Sequence, residues 1–533
     1  MMATFNPEQQ AAVDSKSKRL LILAGAGTGK SHTLLGRISR LIREEGARPE
    51  QILALTFTNA AAFEMKERFK RDNPDMRKIP EFRTFHAFCY ALLSKDVLVR
   101  NALSYTNVPK IADEAVMKRI ETVTKMQLNC KLPDIVLRRG RALSLQEEQE
   151  LTWFNKAFNR NLRREGYITF DILCYEVCKL FVENNPVIMK YKEQYKYIAT
   201  DEYQDTDTRQ HDFVMSFTNA DIFVVGDALQ NLYSFRGTSS QMIKSLAEDP
   251  DWETIRLTRN YRSTVEICDF ANAHSTYAKD EYRIPIWSDK HGEQVTKINF
   301  SYNHSLPRGI EYIMKNIKEL PPDADVAILA RTNKEVQYIC EELTEQGVNC
   351  RIGKPNEDAV HMLRASIDAD YYADWLSSFL NASDYAEYQR LCNIHLDKHR
   401  SATLCEWFYN RPVVSRKMNT ITQILDILNK NDLPFIMAND LFETLGYKNI
   451  VVDTTAKTNV EVIQYVIDTI EKMSQAGLYV GTIHSSKGLE YDYVYVIGAG
   501  GKSFRLTSED MNNLYYVAVT RAKKKLTVLG ENV

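Results

Sequence analysis

The segment Leu20-Leu-Ile-Leu-Ala-Gly-Ala-Gly-Thr-Gly-Lys-Ser31 is the most informative part of this 533-residue chain. It opens with an apolar run typical of a buried strand, which then breaks into glycines. The periodic pattern Thr33-Leu-Leu-Gly-Arg-Ile-Ser-Arg-Leu-Ile42 follows and predicts a helix. Successive backbone amides in a glycine loop at the start of a helix form a concavity for phosphate oxygens. The segment therefore predicts a strand, a phosphate-binding loop and a helix.

Similar strand and helix patterns recur on both sides of a long central region. Apolar runs predict strands near Ile52–Thr56, Tyr197–Thr200 and Ile222–Val225, and residues 60–68 predict a helix. A second set comprises strands at 326–331, near 350, at 478–483, 494–497 and 526–529, with a helix at 335–346. Strands that alternate with helices predict an α/β fold with parallel sheets covered on both faces.

The chain is too long for one hydrophobic core, and the patterns divide it into four predicted domains. Two sheet domains are predicted, each interrupted by a helical insertion. The first comprises residues 1–95 and 166–258, with an insertion at 96–165; the second comprises 259–355 and 476–533, with an insertion at 356–475.

Composition is ordinary for a globular protein, with 44% hydrophobic and 26% charged residues. No apolar run approaches the ~18 residues of a membrane span, and the N-terminus shows no secretory signal. We therefore expect a cytoplasmic protein without a membrane partner. Cys174 and Cys178 are the only close pair among nine scattered cysteines. Without a second pair at metal-site spacing, we interpret them as packing residues and predict no metal cluster.

Charge alone does not identify a partner. The net charge is −2, although basic residues cluster at 131–141, 160–164 and 523–525. Charge runs of this kind are usually solvated surface and do not by themselves predict a polyanion ligand.

Two motifs together predict nucleotide hydrolysis. Lys30 and Ser31 occupy the places of the phosphate-neutralising lysine and of the hydroxyl that binds Mg²⁺, whereas Ala24 stands where the strict pattern has glycine. Asp201 and Glu202 follow a predicted strand, where one carboxylate can hold Mg²⁺ and its neighbour can activate water. ATP and Mg²⁺ are the predicted cofactors.

Further motifs follow in a fixed order. They are Phe5-Asn-Pro-Glu-Gln9, Asp201-Glu-Tyr-Gln-Asp-Thr206, Val225-Gly-Asp-Ala-Leu-Gln230, Asn260-Tyr-Arg-Ser263, His484-Ser-Ser-Lys-Gly-Leu-Glu490 and Val517-Ala-Val-Thr-Arg-Ala-Lys523. With the glycine loop, they make the chain resemble superfamily 1A DNA helicases of the UvrD/Rep/PcrA type. The resemblance implies two RecA-like parallel-sheet P-loop domains, each carrying a helical insertion.

The resemblance also implies roles at the nucleotide. Gln9 would read adenine, Tyr261 would stack on it, and His32 stands where the family has an arginine. Gln230 would sense the γ-phosphate, Glu490 would lie near the ribose, and Arg262 and Arg521 resemble arginine fingers of the second sheet domain. The whole loop is assigned to ATP: Ala24, Gly25, Ala26, Gly27, Thr28, Gly29, Lys30 and Ser31.

A track for single-stranded DNA is implied in the same way. Phosphates are held by amides and hydroxyls, and stacking on aromatic rings contributes ~1–3 kcal/mol per base. Phe235 stands where close relatives often have tryptophan, and Ala60 where a lysine is common. The candidate DNA contacts are Phe57, Thr58, Asn59, Thr84, His86, Tyr233, Phe235, Arg236 and His484.

The predicted function is an ATP-dependent 3′-to-5′ translocase and helicase that acts in repair or replication on single-stranded DNA and duplex junctions. We expect a monomer. One alternative is a translocase without autonomous unwinding that serves a nuclease, repair or anti-phage partner. A nucleotide-switched binding module is a second alternative, and RNA is a lesser candidate for the track.

Overall fold

The fold is given by a computed structural model. The residues it describes are 5–112, 114–128, 145–232, 241–275, 282–300, 305–321, 324–348, 350–352, 363–364, 366, 386–388, 390–391, 407, 410, 419–430, 433–445, 452, 454–475, 478–500, 504 and 508–531.

The chain forms two compact units, each assembled from two separate stretches. The first comprises Met1–Gln294 and Leu506–Thr520, and the second comprises Val295–Arg505 and Arg521–Val533. The predicted second sheet domain starts at residue 259, whereas the first compact unit continues to Gln294. The two observed units therefore do not test the division into four domains, and the boundaries of the four domains stay a prediction.

Fourteen strands are described. In chain order they are β1 (Arg19–Ala24), β2 (Ile52–Thr56), β3 (Glu81–Thr84), β4 (Lys110–Ile111), β5 (Tyr167–Ile168), β6 (Tyr197–Thr200), β7 (Asp221–Gly226), β8 (Glu253–Leu257), β9 (Thr296–Asn299), β10 (Val326–Ala330), β11 (Cys350–Ile352), β12 (Leu478–Thr482), β13 (Tyr491–Ala499) and β14 (Ala522–Gly530).

The described α-helices alternate with these strands through both units. They are α1 (Pro7–Asp14), α2 (Lys30–Arg43), α3 (Asn59–Asp72), α4 (Phe85–Lys95), α5 (Val97–Ala102), α6 (Glu114–Leu128), α7 (Leu145–Arg164), α8 (Phe170–Val182), α9 (Met189–Gln194), α10 (Thr208–Met215), α11 (Gln241–Glu248), α12 (Val265–Ala273), α13 (Ser305–Ile317), α14 (Asn333–Glu345), α15 (Asn419–Lys430), α16 (Pro434–Thr444), α17 (Asn459–Gln475) and α18 (Glu509–Val519). Short 3-10 turns lie at Pro49–Gln51, Pro186–Ile188, Tyr203–Asp205 and Ala228–Gln230.

Each unit contains a six-stranded parallel sheet. The order is β3-β2-β6-β7-β1-β8 in the first unit and β11-β12-β10-β13-β14-β9 in the second. The predicted α/β class with two parallel sheets is confirmed. All carboxyl ends of parallel strands meet at one edge of a sheet, where ligands of such folds bind.

The sheet interiors are apolar because both faces are covered. All five residues of β2 and of β10 are buried. In the first unit, β1 and β7 pack with the apolar face of α2 in one core, to which Leu34 and Ile38 contribute. Five of the described strands were not predicted. Strands β3, β8 and β9 are edge strands with charged or polar residues, so they lack the apolar run of an interior strand. Strands β4 and β5 have two residues each and form a separate sheet, so they are too short to give a pattern.

The helical insertions are described in part. Helices α6 and α7 pack together in the first, where Asn161 Nδ2 donates to Thr124 Oγ1 at 2.9 Å. Helices α15, α16 and α17 share an apolar core in the second. The basic cluster at 131–141 lies outside the described residues. Among the helices that are described, none combines the length and apolar character needed to cross a membrane.

Candidate nucleotide site

The glycine loop connects β1 to α2 with a backbone that only glycine adopts easily. Gly27 has φ +70°, and Gly29 has φ +83°. A Cβ atom on Gly27 would lie 2.8 Å from Asn260 Nδ2, and one on Gly29 would lie 2.8 Å from Gln9 Nε2. Both positions therefore require glycine for its conformation and for its lack of a side chain.

Carbonyl groups along this loop are held by donors from the protein. The contacts are Thr28 Oγ1 to Gly25 O at 2.8 Å, Asn260 Nδ2 to Ala26 O at 2.7 Å, Tyr261 N to Gly27 O at 2.9 Å and Gln9 Nε2 to Thr28 O at 3.0 Å. Gly29, the residue before α2, has no side chain that could cap the first turn of that helix. The loop is thus fixed through its acceptors, an arrangement suited to binding an anion with its amides.

Ser31 and Asp201 provide paired oxygen atoms beside the loop. Ser31 Oγ donates to Asp201 Oδ2 at 2.6 Å, and Glu202 N donates to Asp201 Oδ1 at 2.9 Å. Burial and the nearby charge of Glu202 raise the pKa of Asp201 to about 6, against the opposing effects of Ser31 and Lys30. A hydroxyl and a buried carboxylate are ligands that Mg²⁺ prefers, so this pair fits the metal.

Glu202 occupies an unusual backbone position. Its φ of 52° and ψ of 43° place a non-glycine residue in the left-handed region. The side-chain amide of Gln204 donates to Glu202 Oε2, and Gln204 Oε1 accepts from Asp227 N at 3.0 Å. Gln204 therefore links the carboxylate of Glu202 to the end of β7, and it orients the predicted base.

The end of β7 carries a second buried carboxylate. Asp227 Oδ2 accepts from Gln230 Nε2 at 2.8 Å, and its Oδ1 accepts from Leu229 N at 3.0 Å. Burial raises the pKa of Asp227, although the charge of Lys30 lowers it. Asp227 consequently orients Gln230, the predicted γ-phosphate sensor, and itself lies within electrostatic reach of Lys30.

The Asn260-Tyr-Arg-Ser263 motif is folded around the side chain of Asn260. Asn260 Oδ1 accepts from the backbone amides of Arg262 and Ser263, each at 2.7 Å. The Arg262 guanidinium donates through Nη1 to Thr520 O at 3.0 Å. We predicted Arg262 in the second sheet domain, but it lies in the same compact unit as the glycine loop.

An aromatic and cationic stack stands beside this motif. The Arg259 guanidinium lies 5.1 Å from the Tyr261 ring centre and 5.4 Å from that of Trp287. Arg259 Nη2 also pairs with Asp289 Oδ2 at 2.6 Å. Tyr261 and Trp287 are 40% and 49% exposed, so large ring surfaces remain accessible next to the loop.

Gln9 and His32 lie at the start of the unit. Gln9 is buried, and its Oε1 accepts from Asn6 N at 3.1 Å in the cap of α1. The His32 ring centre lies 4.8 Å from that of Phe5. Both residues are thus placed beside the loop, while the proposed adenine contact of Gln9 stays a prediction.

Glu490 and Arg521 lie together in the second unit. Arg521 is buried, and its Nη1 donates to Leu489 O at 3.2 Å. Its carbonyl accepts from Tyr491 N at 2.9 Å. The exposed Glu490 therefore lies between Leu489 and Tyr491, which are both hydrogen-bonded to Arg521.

The DNA candidates follow the carboxyl ends of strands. Thr58 follows β2, and Thr84 is the last residue of the neighbouring strand β3. Each caps the next helix by accepting from a backbone amide at 3.1 Å. Phe57 and His86 are half-buried beside them, and the similarly half-buried His484 follows β12 in the second unit. Tyr233, Phe235 and Arg236 lie outside the described residues, as does the side chain of Asn59.

Sequence reasoning missed several residues that shape the site. Gln204, Asp227 and Asn260 are inside motifs that we quoted, and their buried polar side chains could have been suspected there. Arg259 directly precedes its motif, but nothing in the sequence pairs it with Trp287. These contacts depend on chain segments that only the fold brings together.

Comparisons with known proteins identify the family of this chain. Family models match in chain order: the UvrD/REP helicase N-terminal domain at residues 5–251, and UvrD-like helicase C-terminal domains at 255–357 and 477–529. A protein of Leuconostoc citreum named ATP-dependent DNA helicase PcrA is 27% identical, covering 98% of this chain and 81% of the relative. Proteins with the same name from Staphylococcus epidermidis and Staphylococcus aureus are each 25% identical, covering 83% of the relative.

Proposed function

Because this chain belongs to the UvrD/Rep helicase family, we propose that it is an ATP-hydrolysing motor that moves 3′ to 5′ along single-stranded DNA and separates duplexes. The observation that carries the proposal is the Ser31 to Asp201 contact of 2.6 Å beneath a glycine loop whose carbonyls are already bonded. Direction and translocation are the family's properties extended to this chain. The cytoplasmic location is part of the same proposal.

The loop and Lys30 bind the triphosphate. Backbone amides at the start of α2 receive phosphate oxygens, and the ammonium of Lys30 neutralises charge on the β- and γ-phosphates. Ser31 and Asp201 are the residues that would hold Mg²⁺, which supplies further charge neutralisation when it is bound. Tyr261 offers a ring face for adenine, and Arg259 holds that ring in place from one side.

Hydrolysis requires a water that is oriented and deprotonated. Glu202 is the base in this proposal, and Gln204 fixes one of its carboxylate oxygens. Gln230 is fixed in turn by Asp227, so both side chains that face the reacting phosphate in this scheme are oriented by buried hydrogen bonds. Arg262 and Arg521 keep their proposed role of stabilising charge in the transition state.

The DNA track uses residues after β2, β3 and β12. Phe57, His86 and His484 are candidates for base stacking, and Thr58 and Thr84 for backbone contacts. Single-stranded DNA and duplex junctions are the partners that these residues suit. Dependence of ATP turnover on added single strand would connect this track with the nucleotide site.

The test is ATP-driven strand displacement by the purified chain, with hydrolysis followed in the same tubes. The duplexes carry a single-stranded tail on either the 3′ or the 5′ side. We expect displacement only from the 3′ tail and hydrolysis that rises with single-stranded DNA. Displacement from the 5′ tail alone would contradict the direction, and turnover that ignores DNA would contradict the motor.

A further inference from the structure

Three cysteines from two packed helices meet in the interior of the first unit. Cys89 lies on α4, and Cys174 and Cys178 lie on α8. Their sulfur atoms all lie within 4.8 Å of one another. Each side chain is at most 7% exposed, and all three are free thiols. The sequence shows only the pair on α8, because Cys89 is more than 80 positions away in the chain.

The sulfur separations match a coordinated metal better than a disulfide. Cys174 Sγ and Cys178 Sγ are 3.8 Å apart, whereas bonded sulfurs lie ~2.05 Å apart. Zinc to thiolate bonds of ~2.3 Å in tetrahedral geometry place two sulfurs ~3.8 Å apart. One pair therefore already has the spacing of two ligands on one ion, and the sulfur of Cys89 lies within 4.8 Å of both.

Three buried thiols are the ligand type of a site for a soft cation. A bound cation would displace their protons to solvent, as thiolate sites do on loading.

We propose that Cys89, Cys174 and Cys178 form a buried thiolate site for a single soft d¹⁰ cation, Zn²⁺ or Cu⁺. Soft sulfur ligands select these ions over Mg²⁺, so the site is chemically separate from Ser31 and Asp201. Among the described residues, the ligand atoms that come together are the three sulfurs. Three thiolates suit Cu⁺ directly, whereas Zn²⁺ would take water as its fourth ligand.

The site would cross-link α4 to α8. Helix α4 begins directly after Thr84 and carries His86, two of the candidate DNA contacts. A cation bound to both helices would therefore stabilise the position of that part of the proposed track. Without it, the rings of Phe88 and Phe181, 6.1 Å apart, still pack the same two helices.

The experiment is metal loading of the full-length chain, prepared under reducing conditions. Zinc and copper per chain are measured after purification and after separate additions of Zn²⁺ and Cu⁺, and Co²⁺ is added as a spectroscopic probe. We expect one ion per chain, a thiolate to cobalt charge-transfer band, and a higher Tm with metal. In the double variant Cys174→Ala, Cys178→Ala, the ion, the band and the Tm shift should all be lost.

The matched control is Cys268→Ala, which removes a buried thiol of α12 outside the cluster and should retain all three signals. Zinc loading with the band would identify Zn²⁺, and loading by Cu⁺ alone would identify a three-thiolate copper site. A wild-type chain that holds neither ion and develops no cobalt band would overturn the proposal, even if the double variant fails to fold. None of these measurements depends on ATP hydrolysis.

Discussion

Two strand-to-helix connections, one from each unit, have similar architecture and different chemistry. In the first unit β1 leads to α2, and in the second β10 leads to α14; both strands are flanked by parallel neighbours. Helix α14 is capped by its own side chains, since Thr332 Oγ1 accepts from Glu335 N at 3.3 Å and Glu335 Oε2 accepts from Thr332 N at 2.8 Å. Helix α2 follows Gly29 and has no such cap.

The difference shows how one fold serves two purposes. A capping box satisfies the first amides of a helix within the protein, which favours folding. A glycine in that place leaves the amides to be satisfied by an anion, which favours ligand binding. The comparison therefore predicts that substitutions at α2 affect nucleotide chemistry, whereas matched substitutions at α14 affect stability alone.

The largest expected effect is at Lys30. Lys30→Ala should lower ATP turnover by ~10³-fold or more, because the charge that opposes the γ-phosphate is lost in the transition state. Turnover with saturating single-stranded DNA is the measurement, and circular dichroism checks the fold. The matched control is Lys334→Ala, in the first turn of α14, which should leave turnover unchanged. Retained turnover in Lys30→Ala would refute the site.

Glu202→Gln should lower turnover by ~10²–10³-fold while ATP binding stays within a few-fold of wild type. The amide has the shape of the carboxylate but cannot accept the proton of the attacking water. Single-turnover hydrolysis and binding of a fluorescent ATP analogue separate the two steps. Glu335→Gln, at the capping box of α14, is the control from the other connection. Loss of binding equal to the loss of turnover would assign Glu202 a binding role instead.

Asp201→Asn should remove activity and raise stability together. The pKa of Asp201 is raised to about 6 from 3.8, so its ionised form opposes folding. That cost is absent below pH ~4, grows as the pH rises to ~6, and amounts to roughly 1–3 kcal/mol at pH 7. Urea unfolding in EDTA at pH 4 and pH 7 should show a gain for the variant only at the higher pH.

The exposed Asp251→Asn is the control for this experiment and should show no such pH-dependent gain. A variant of Asp201 that is less stable than wild type at pH 7 would mean that its hydrogen bonds from Ser31 and Glu202 outweigh the burial of the charge.

Arg259→Gln should raise the KM for ATP by ~2- to 10-fold and leave kcat nearly unchanged, because cation–π contacts contribute ~0.5–1 kcal/mol or somewhat more. Without the Arg259 guanidinium, which lies over the rings of both Tyr261 and Trp287, the Tyr261 ring would no longer be held in place. Preference for ATP over CTP should fall in parallel. Arg119→Gln breaks a comparable exposed ion pair, to Glu165 at 2.5 Å, and should change neither value. A fall in kcat at constant KM would contradict the positioning role.

The smallest effect is expected at the capped connection. Thr332→Ala should lower the free energy of unfolding by ~1 kcal/mol through loss of the cap of α14. The KM for ATP should stay at the wild-type value. Chemical denaturation and steady-state kinetics measure the two quantities. A change in KM without a change in stability would show that α14 also serves the nucleotide, and the contrast between the two connections would fail.

Sequence patterns were sufficient to predict the interior strands, which are marked by continuous apolar runs. The apolar runs at Ile52–Thr56 and Tyr197–Thr200 coincide with β2 and β6, because interior strands are buried on both faces. Edge strand β3, Glu-Phe-Arg-Thr, has no such run. Of the candidate site, Lys30, Ser31, Asp201 and Glu202 can be proposed from the sequence, since phosphate, metal and water require those groups at fixed places.

The remaining contacts of the site depend on long-range folding. Gln204 orients Glu202 through a short local contact, but its second bond reaches Asp227, which follows β7 more than 20 positions away. Arg259 and Trp287 are 28 positions apart, and Cys89 meets Cys174 across two helices. A single sequence contains these residues without indicating which of them become neighbours.

The discontinuous first unit has a consequence for synthesis on the ribosome. Residues 228–230 and α12 pack against α18, and the Tyr515 ring lies 5.2 Å from that of His274. Translation must pass more than 200 further codons after residue 294 before α18 exists, which takes ~10–40 s at ~5–20 residues per second. During that interval the surface of the nascent unit that α18 will cover stays exposed. We expect chaperones to bind the nascent chain at this surface.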